Sequence, residues 1–225
     1  MSGILFINGS PRRSRSCSAL VLKDLAGVMK EEGVLEEEPE VITPSRKLPA
    51  DPQDVLEKLE EADIWVMALP LYVDTLPGHL TWWLRQYELY RQRTGTRKEI
   101  RVYAVVNCGF PEPEQNADAL EMLEIYCGKN GLSWRLGIGL GMGEPYKEMA
   151  GIPLKSRFKS AIYDSCRTAA EDIRAAGDGP AANRFVKVRF PRFLYTFMGS
   201  IGWRQQARKN GLKRGDLYAR PLQKW

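Results

Sequence analysis

Two short stretches, Ile4–Ile7 and Ile64–Leu69, are apolar at every position. A strand with one wet face would alternate, so these runs read as strands buried on both sides. That is the mark of a parallel sheet with helices on both faces. Ile100–Val106 is a third run, β-branched and aromatic. Trp134–Leu140 is a fourth, and Glu40–Thr43 reads as a short edge strand. Helical spacing fills the intervals, at Ala19–Lys30, from Asp51-Pro52 onward, at Pro77–Arg93, Glu114–Lys129 and Lys155–Ala176. Asp51 is the expected cap and Pro52 the first-turn residue of the second helix, after a loop at 44–51. Five strands alternating with helices predict a doubly wound α/β domain over residues 1–176, with strand order 2-1-3-4-5. Ligands of such sheets sit at the carboxyl ends of the strands near the switch in strand order. The loops that converge there are 9–18, 70–77 and 107–113.

The first of these loops carries the most chemistry. Asn8-Gly9-Ser10-Pro11 stops the opening strand, and three arginines and four serines fall within Ser10–Ser18 before the helix begins. A strand, a tight turn and a hydroxyl-rich helix start together form an anion cradle. Backbone N–H groups and the positive end of the helix dipole face the ligand, and arginine adds charge and a planar fork. The same residues also fit a capped helix after a turn, with Ser16 or Ser18 as the cap. A Walker loop is absent, since no Gly-Lys-Ser/Thr follows Gly9. The three-glycine dinucleotide fingerprint is absent too. Gly137–Gly143 fails it because its glycines alternate; it reads as a thin strand end close to neighbouring backbone, with a pocket wall at Met142–Tyr146 as the other reading.

Gly9-Ser10-Pro11-Arg12 followed by Ser16-Cys17-Ser18 resembles the signature of the flavodoxin-like NAD(P)H-dependent FMN reductases and quinone reductases. The resemblance covers roughly residues 1–176. It implies a flavodoxin-like sheet, FMN as cofactor and NAD(P)H as co-substrate. It places Ser10, Arg12, Ser16, Cys17 and Ser18 around the FMN phosphate. Pro70, Leu71, Tyr72 and Val73 resemble the Pro-x-Tyr loop that lies against the flavin ring in that family. Asn107, Cys108, Gly109 and Phe110 take the place of its small-residue loop after the next strand. The implied activity is hydride transfer from NAD(P)H through FMN to a quinone, a flavin or another small acceptor, by a homo-oligomer, a dimer or tetramer. No catalytic acid or base is required, which suits a chain whose one histidine is His79. A flavodoxin-like electron carrier and a non-catalytic flavin- or partner-binding module are the alternatives.

Four cysteines, Cys17, Cys108, Cys127 and Cys166, lie too far apart for a metal motif and predict free thiols in a reducing cytoplasm. No run of about twenty apolar residues is present, and the first strand begins too early to leave room for a signal peptide. Charge is uneven. From Asn183 to Trp225 there are eleven lysines and arginines and one acid, Asp216, so a basic tail follows an acidic body across a Gly177–Pro180 linker. Within this extension, residues 183–225, Pro191–Lys209 reads as an amphipathic helix with Phe193, Leu194, Phe197, Met198 and Ile201 at helical spacing. It predicts packing on the body or a partner subunit, or peripheral contact with an anionic membrane surface. No nucleic-acid-binding module is recognisable.

Overall fold

The computed structural model describes residues 3–44, 52–175 and 180–219. The expected loop at 45–51 with its Asp51 cap, the linker residues Gly177–Gly179 and the final basic residues 220–225 lie outside the described residues. Strands β1 (Ile4–Asn8), β2 (Glu40–Ile42), β3 (Ile64–Pro70), β4 (Arg101–Asn107), β5 (Ser133–Gly141) and β6 (Arg184–Lys187) form one parallel sheet in the order β2-β1-β3-β4-β5-β6. The fully apolar runs became the central strands. From Ile64 to Leu69, β3 is buried at every position.

The sheet has six strands where five were expected, and the alternating glycines explain the sixth. β6 runs beside Ile138–Gly141, and a side chain on Gly139 would come within 2.6 Å of the Phe185 ring. Gly137 donates its N–H to Asn183 Oδ1 at 2.8 Å. The thinned strand is what makes room for Phe185, and the pairing draws Arg184–Lys187 out of the basic extension into the sheet.

Helices α1 (Cys17–Glu31) and α6 (Ser160–Ala175) pack together on one face, while α2 (Gln53–Glu61), α3 (Gly78–Thr94) and α4 (Ala117–Lys129) cover the other. Leu5, Ile7, Trp65, Met67, Val102 and Ala104 of the sheet meet Leu59, Leu80, Leu84, Tyr87 and Leu123 in one core, each such buried side chain stabilising the fold by about 1.5–3 kcal/mol. A short helix absent from the sequence reading, α5 (Gly143–Glu148), follows β5. The helix expected from Lys155 starts at Ser160, because Lys155–Lys159 makes successive turns that bury Lys159 over the Tyr146 ring.

The chain forms two compact units, Met1–Val188 and Arg189–Trp225. The second contains α7 (Arg192–Lys209), stopped at Asn210-Gly211, and a 3-10 turn at Arg214–Tyr218 capped by Asp216. Phe193, Phe197 and Ile201 occupy the same stripe of α7 as Arg204 and Arg208, and all five are exposed. Apolar and basic character is therefore divided along the helix axis, not around it. The two opposed faces of the expected amphipathic helix are not present. No helix among the described residues is long and apolar enough to cross a membrane.

Candidate functional site

The strand register delivers three loops to one corner. Asn8 pairs with Ala68 and Pro70 with Asn107, so the chain leaves β1, β3 and β4 at one level. The loop after β1 is held by Asn8, a buried residue that the sequence reading took only as a strand breaker. Its Nδ2 donates to Arg13 O at 3.1 Å, and its Oδ1 accepts from Ser10 N at 3.0 Å. Ser10 Oγ accepts from Arg12 N at 3.3 Å. Ser16 caps α1, with Oγ accepting from Ala19 N at 3.0 Å and donating to Arg13 O at 2.6 Å. Those bonds leave the N–H groups of Cys17 and Ser18, in the first turn of α1, without a partner among the described residues.

Asn107 ties the corner together. Its Nδ2 donates to Ser18 Oγ on α1 and to Leu69 O at the end of β3, both at 2.8 Å. Its backbone oxygen accepts from Leu71 N at 2.8 Å. Both amide hydrogens are thus engaged by the protein, leaving Oδ1 as its group for a ligand. Tyr72 and Thr75 exchange backbone bonds of 2.9 and 3.2 Å across a two-residue turn, with Val73 and Asp74 both in the left-handed region at φ 50° and 58°. Among the described residues the four non-glycine residues with positive φ, namely Arg13, Val73, Asp74 and Met142, lie in loops that leave the sheet at this corner. Such backbone costs energy and persists where surrounding bonds over-determine it.

These loops enclose a cavity of about 120 Å³. All five residues expected at the phosphate, Ser10, Arg12, Ser16, Cys17 and Ser18, line it, together with Pro70, Leu71, Tyr72, Asn107, Cys108 and Gly109. Two expected residues do not. Val73 stands at the tip of its turn, 94% exposed, and Phe110 is half exposed, its backbone oxygen accepting from Met142 N. Two lining residues, Gly143 and Glu144, were absent from the expected set. The signal for them was the pocket-wall reading of Met142–Tyr146.

The surroundings of both cavity thiols favour the protonated form. Burial, and after it the Glu144 carboxylate, pushes Cys17 up to about 12. Burial also raises Cys108, against hydrogen bonds with Phe110 of its own loop and with the Asn116 amide. Both are protonated at neutral pH. Among the described residues no cluster of acidic, cysteine or histidine side chains suits a metal ion. The lining fits the tail of a flavin nucleotide instead. It offers two orphan N–H groups at a helix start, the free hydroxyl hydrogens of Ser10 and Ser18 and an arginine for a phosphate, and neutral, proline-stiffened loops beside them, while the Ser16 hydroxyl is spent on Arg13 O.

A family model described as NADPH-dependent FMN reductase matches residues 3–93, which carry the first two loops of the cavity but not the third. No curated protein sequence matches the chain. Among solved structures it is similar to an NADH:FMN oxidoreductase in its apo form, at 15% identity and TM-score 0.59 over 83% of this chain and 95% of that one. It is similar to an azoreductase from Bacillus anthracis, at 14% identity and TM-score 0.52 over 78% and 100%. It is also similar to general stress protein 14 of Treponema denticola, solved in complex with FMN, at 16% identity and TM-score 0.50 over 77% and 99%. At such identities the shared property is the fold.

Proposed function

We propose, from the match of residues 3–93 to the NADPH-dependent FMN reductase model, that this chain is an oxidoreductase that takes hydride from NAD(P)H and passes two electrons through FMN to a small acceptor such as a quinone. The observation that supports it best is the convergence of the serine–arginine loop, the Pro70–Tyr72 loop and the Asn107–Gly109 loop on one cavity. FMN, when bound, supplies the redox chemistry; the protein supplies grip, orientation and polarity.

The N–H groups of Cys17 and Ser18 and the side chains of Ser10, Ser18 and Arg12 would hold the phosphate, with Ser16 fixing the helix start as its cap. Pro70, Leu71 and Tyr72 would flank the ring, Asn107 Oδ1 would accept from a ring or polyol donor, and Gly109 would admit close backbone approach. Hydride transfer through a flavin asks no acid or base of the lining, because the cofactor supplies the redox chemistry.

The four free cysteines support action in a reducing cytoplasm. A homo-oligomer is carried by the family resemblance. Charge supports a peripheral membrane contact through the tail; the two-faced helix that would embed in a lipid surface is not what α7 provides.

Anaerobic titration of the FMN-loaded protein with NADPH tests the reading. One equivalent is expected to bleach the visible flavin band, and a quinone to restore it. A flavin that neither NADPH nor NADH reduces would mark an electron carrier or a binding module.

A further inference from the structure

The cavity lining carries two charged side chains, Arg12 and Glu144. The rest of it is serine, proline, leucine, glycine, an amide, a phenol and two protonated thiols. A phosphate dianion seated at the start of α1 would lie against Arg12, with the two orphan N–H groups and the helix dipole facing its second charge. The charge then left unmatched in the lining is the carboxylate of Glu144. It makes no ion pair or hydrogen bond among the described residues, and Lys147, one turn further along α5, does not bridge to it.

The backbone around Glu144 is held from three sides. Met142, in the left-handed region at φ 57°, reverses the chain after β5 and donates its N–H to Phe110 O at 2.8 Å. Gly143 donates to Cys108 O at 2.8 Å and lies so close to the cavity floor that a Cβ there would be 3.1 Å from that oxygen and 3.4 Å from Cys17 Sγ. Tyr146, fully buried, donates its hydroxyl to Asp24 of α1. A strained turn, a side-chain-free contact and a buried phenol fix the first turn of α5 against the cavity.

From this placement we propose that Glu144 selects the electron acceptor by charge, admitting neutral or cationic acceptors and repelling those that carry a carboxylate or sulfonate. The proposal rests on the FMN reading of the cavity. It does not oppose the donor, whose negative charge is on its phosphates; the ring that reacts is neutral before giving up hydride and cationic afterwards. For a quinone the step balances as NAD(P)H, one proton and quinone going to NAD(P)⁺ and hydroquinone. The carboxylate is solvent-exposed, so its repulsion is screened by salt.

The test uses FMN-loaded wild type, Glu144→Gln and Glu144→Lys, with NADPH as donor and 1,2-naphthoquinone or its 4-sulfonate as acceptor. The ratio of kcat/KM for the neutral over the sulfonated quinone is expected to fall about fivefold in the glutamine variant and further in the lysine variant, and the wild-type ratio to narrow in high salt. A second readout needs no turnover. The Kd of naphthalene-2-sulfonate for the oxidised holoprotein, followed by perturbation of the flavin spectrum, is expected to fall in the same order, while that of 2-naphthol stays within about twofold. Variants that bind FMN but leave both the ratio and the sulfonate Kd unchanged overturn the proposal alone. Wild-type protein that binds no FMN overturns the site reading and the proposal with it.

Discussion

Val73 has a β-branched side chain, a φ of 50° and 94% of its surface in water. A branched Cβ in the left-handed region collides with its own backbone, at a cost of roughly 1–2 kcal/mol that no burial offsets here. Asparagine tolerates that conformation. Val73→Asn is therefore expected to stabilise the protein by about 1 kcal/mol, raising Tm by about 2–4 °C. A lower Tm would show that the valine makes contacts its exposure hides. Strain of this kind is hard to read from sequence. Nothing in Tyr72-Val73-Asp74-Thr75 carries the glycine or asparagine that marks such a turn, whereas Asn210-Gly211 did announce the end of α7. Asn8 and Asn107 illustrate a related difficulty. As letters they suggest a strand breaker and a ligand group. In the fold Asn8 braces the loop after β1, and the amide hydrogens of Asn107 lock two strand ends to α1.

Individual elements are tied together by a few buried polar contacts, of which Arg135–Asp172 is the clearest. Arg135 of β5 grips Asp172 of α6 with two bonds of 3.0 and 2.7 Å, and Tyr103 of β4 donates to the same carboxylate at 2.5 Å. Partial burial works to raise the Asp172 pKa, but the Arg135 and Tyr103 bonds and the Arg135 charge outweigh it and hold it below the usual carboxylate value. With the folded pKa depressed, the stabilisation is present above about pH 4, the unfolded carboxylate range, and is lost as pH falls through the folded value. Asp172→Ala leaves a buried guanidinium unpaired and is expected to cost about 3 kcal/mol at pH 7, the lower end for breaking a buried pair because Asp172 keeps some contact with water. Urea unfolding at pH 7 and pH 3 checks both points. The wild-type advantage over Asp172→Asn should shrink at the lower pH, and an advantage that grows would contradict the assignment. Fully apolar runs were legible as central strands because burial on both faces leaves no alternation to misread. β6 was not, because Arg184-Phe185-Val186-Lys187 has no run of its own and owes its place to glycines some forty residues earlier.

At the scale of the whole molecule, topology does what no single motif could. Once strands 1, 3 and 4 are neighbours, loops far apart in sequence meet at one corner. The residues that meet at that corner were legible because that topology was. The cavity's fourth wall was legible only as the second reading of Met142–Tyr146, since Gly143 and Glu144 follow a strand whose glycine pattern resembles a nucleotide motif and serves packing instead. The account rests on a phosphate held at the junction of β1 and α1, and FMN differs from riboflavin by that phosphate alone. Equilibrium titration of the purified protein with each, followed by quenching of flavin fluorescence, isolates its contribution. Two N–H groups and an arginine on a dianion, each such charge-assisted bond contributing about 1.5–3 kcal/mol, predict that FMN binds at least about a hundredfold more tightly than riboflavin. Equal affinities for the two, or no binding of either, would contradict it.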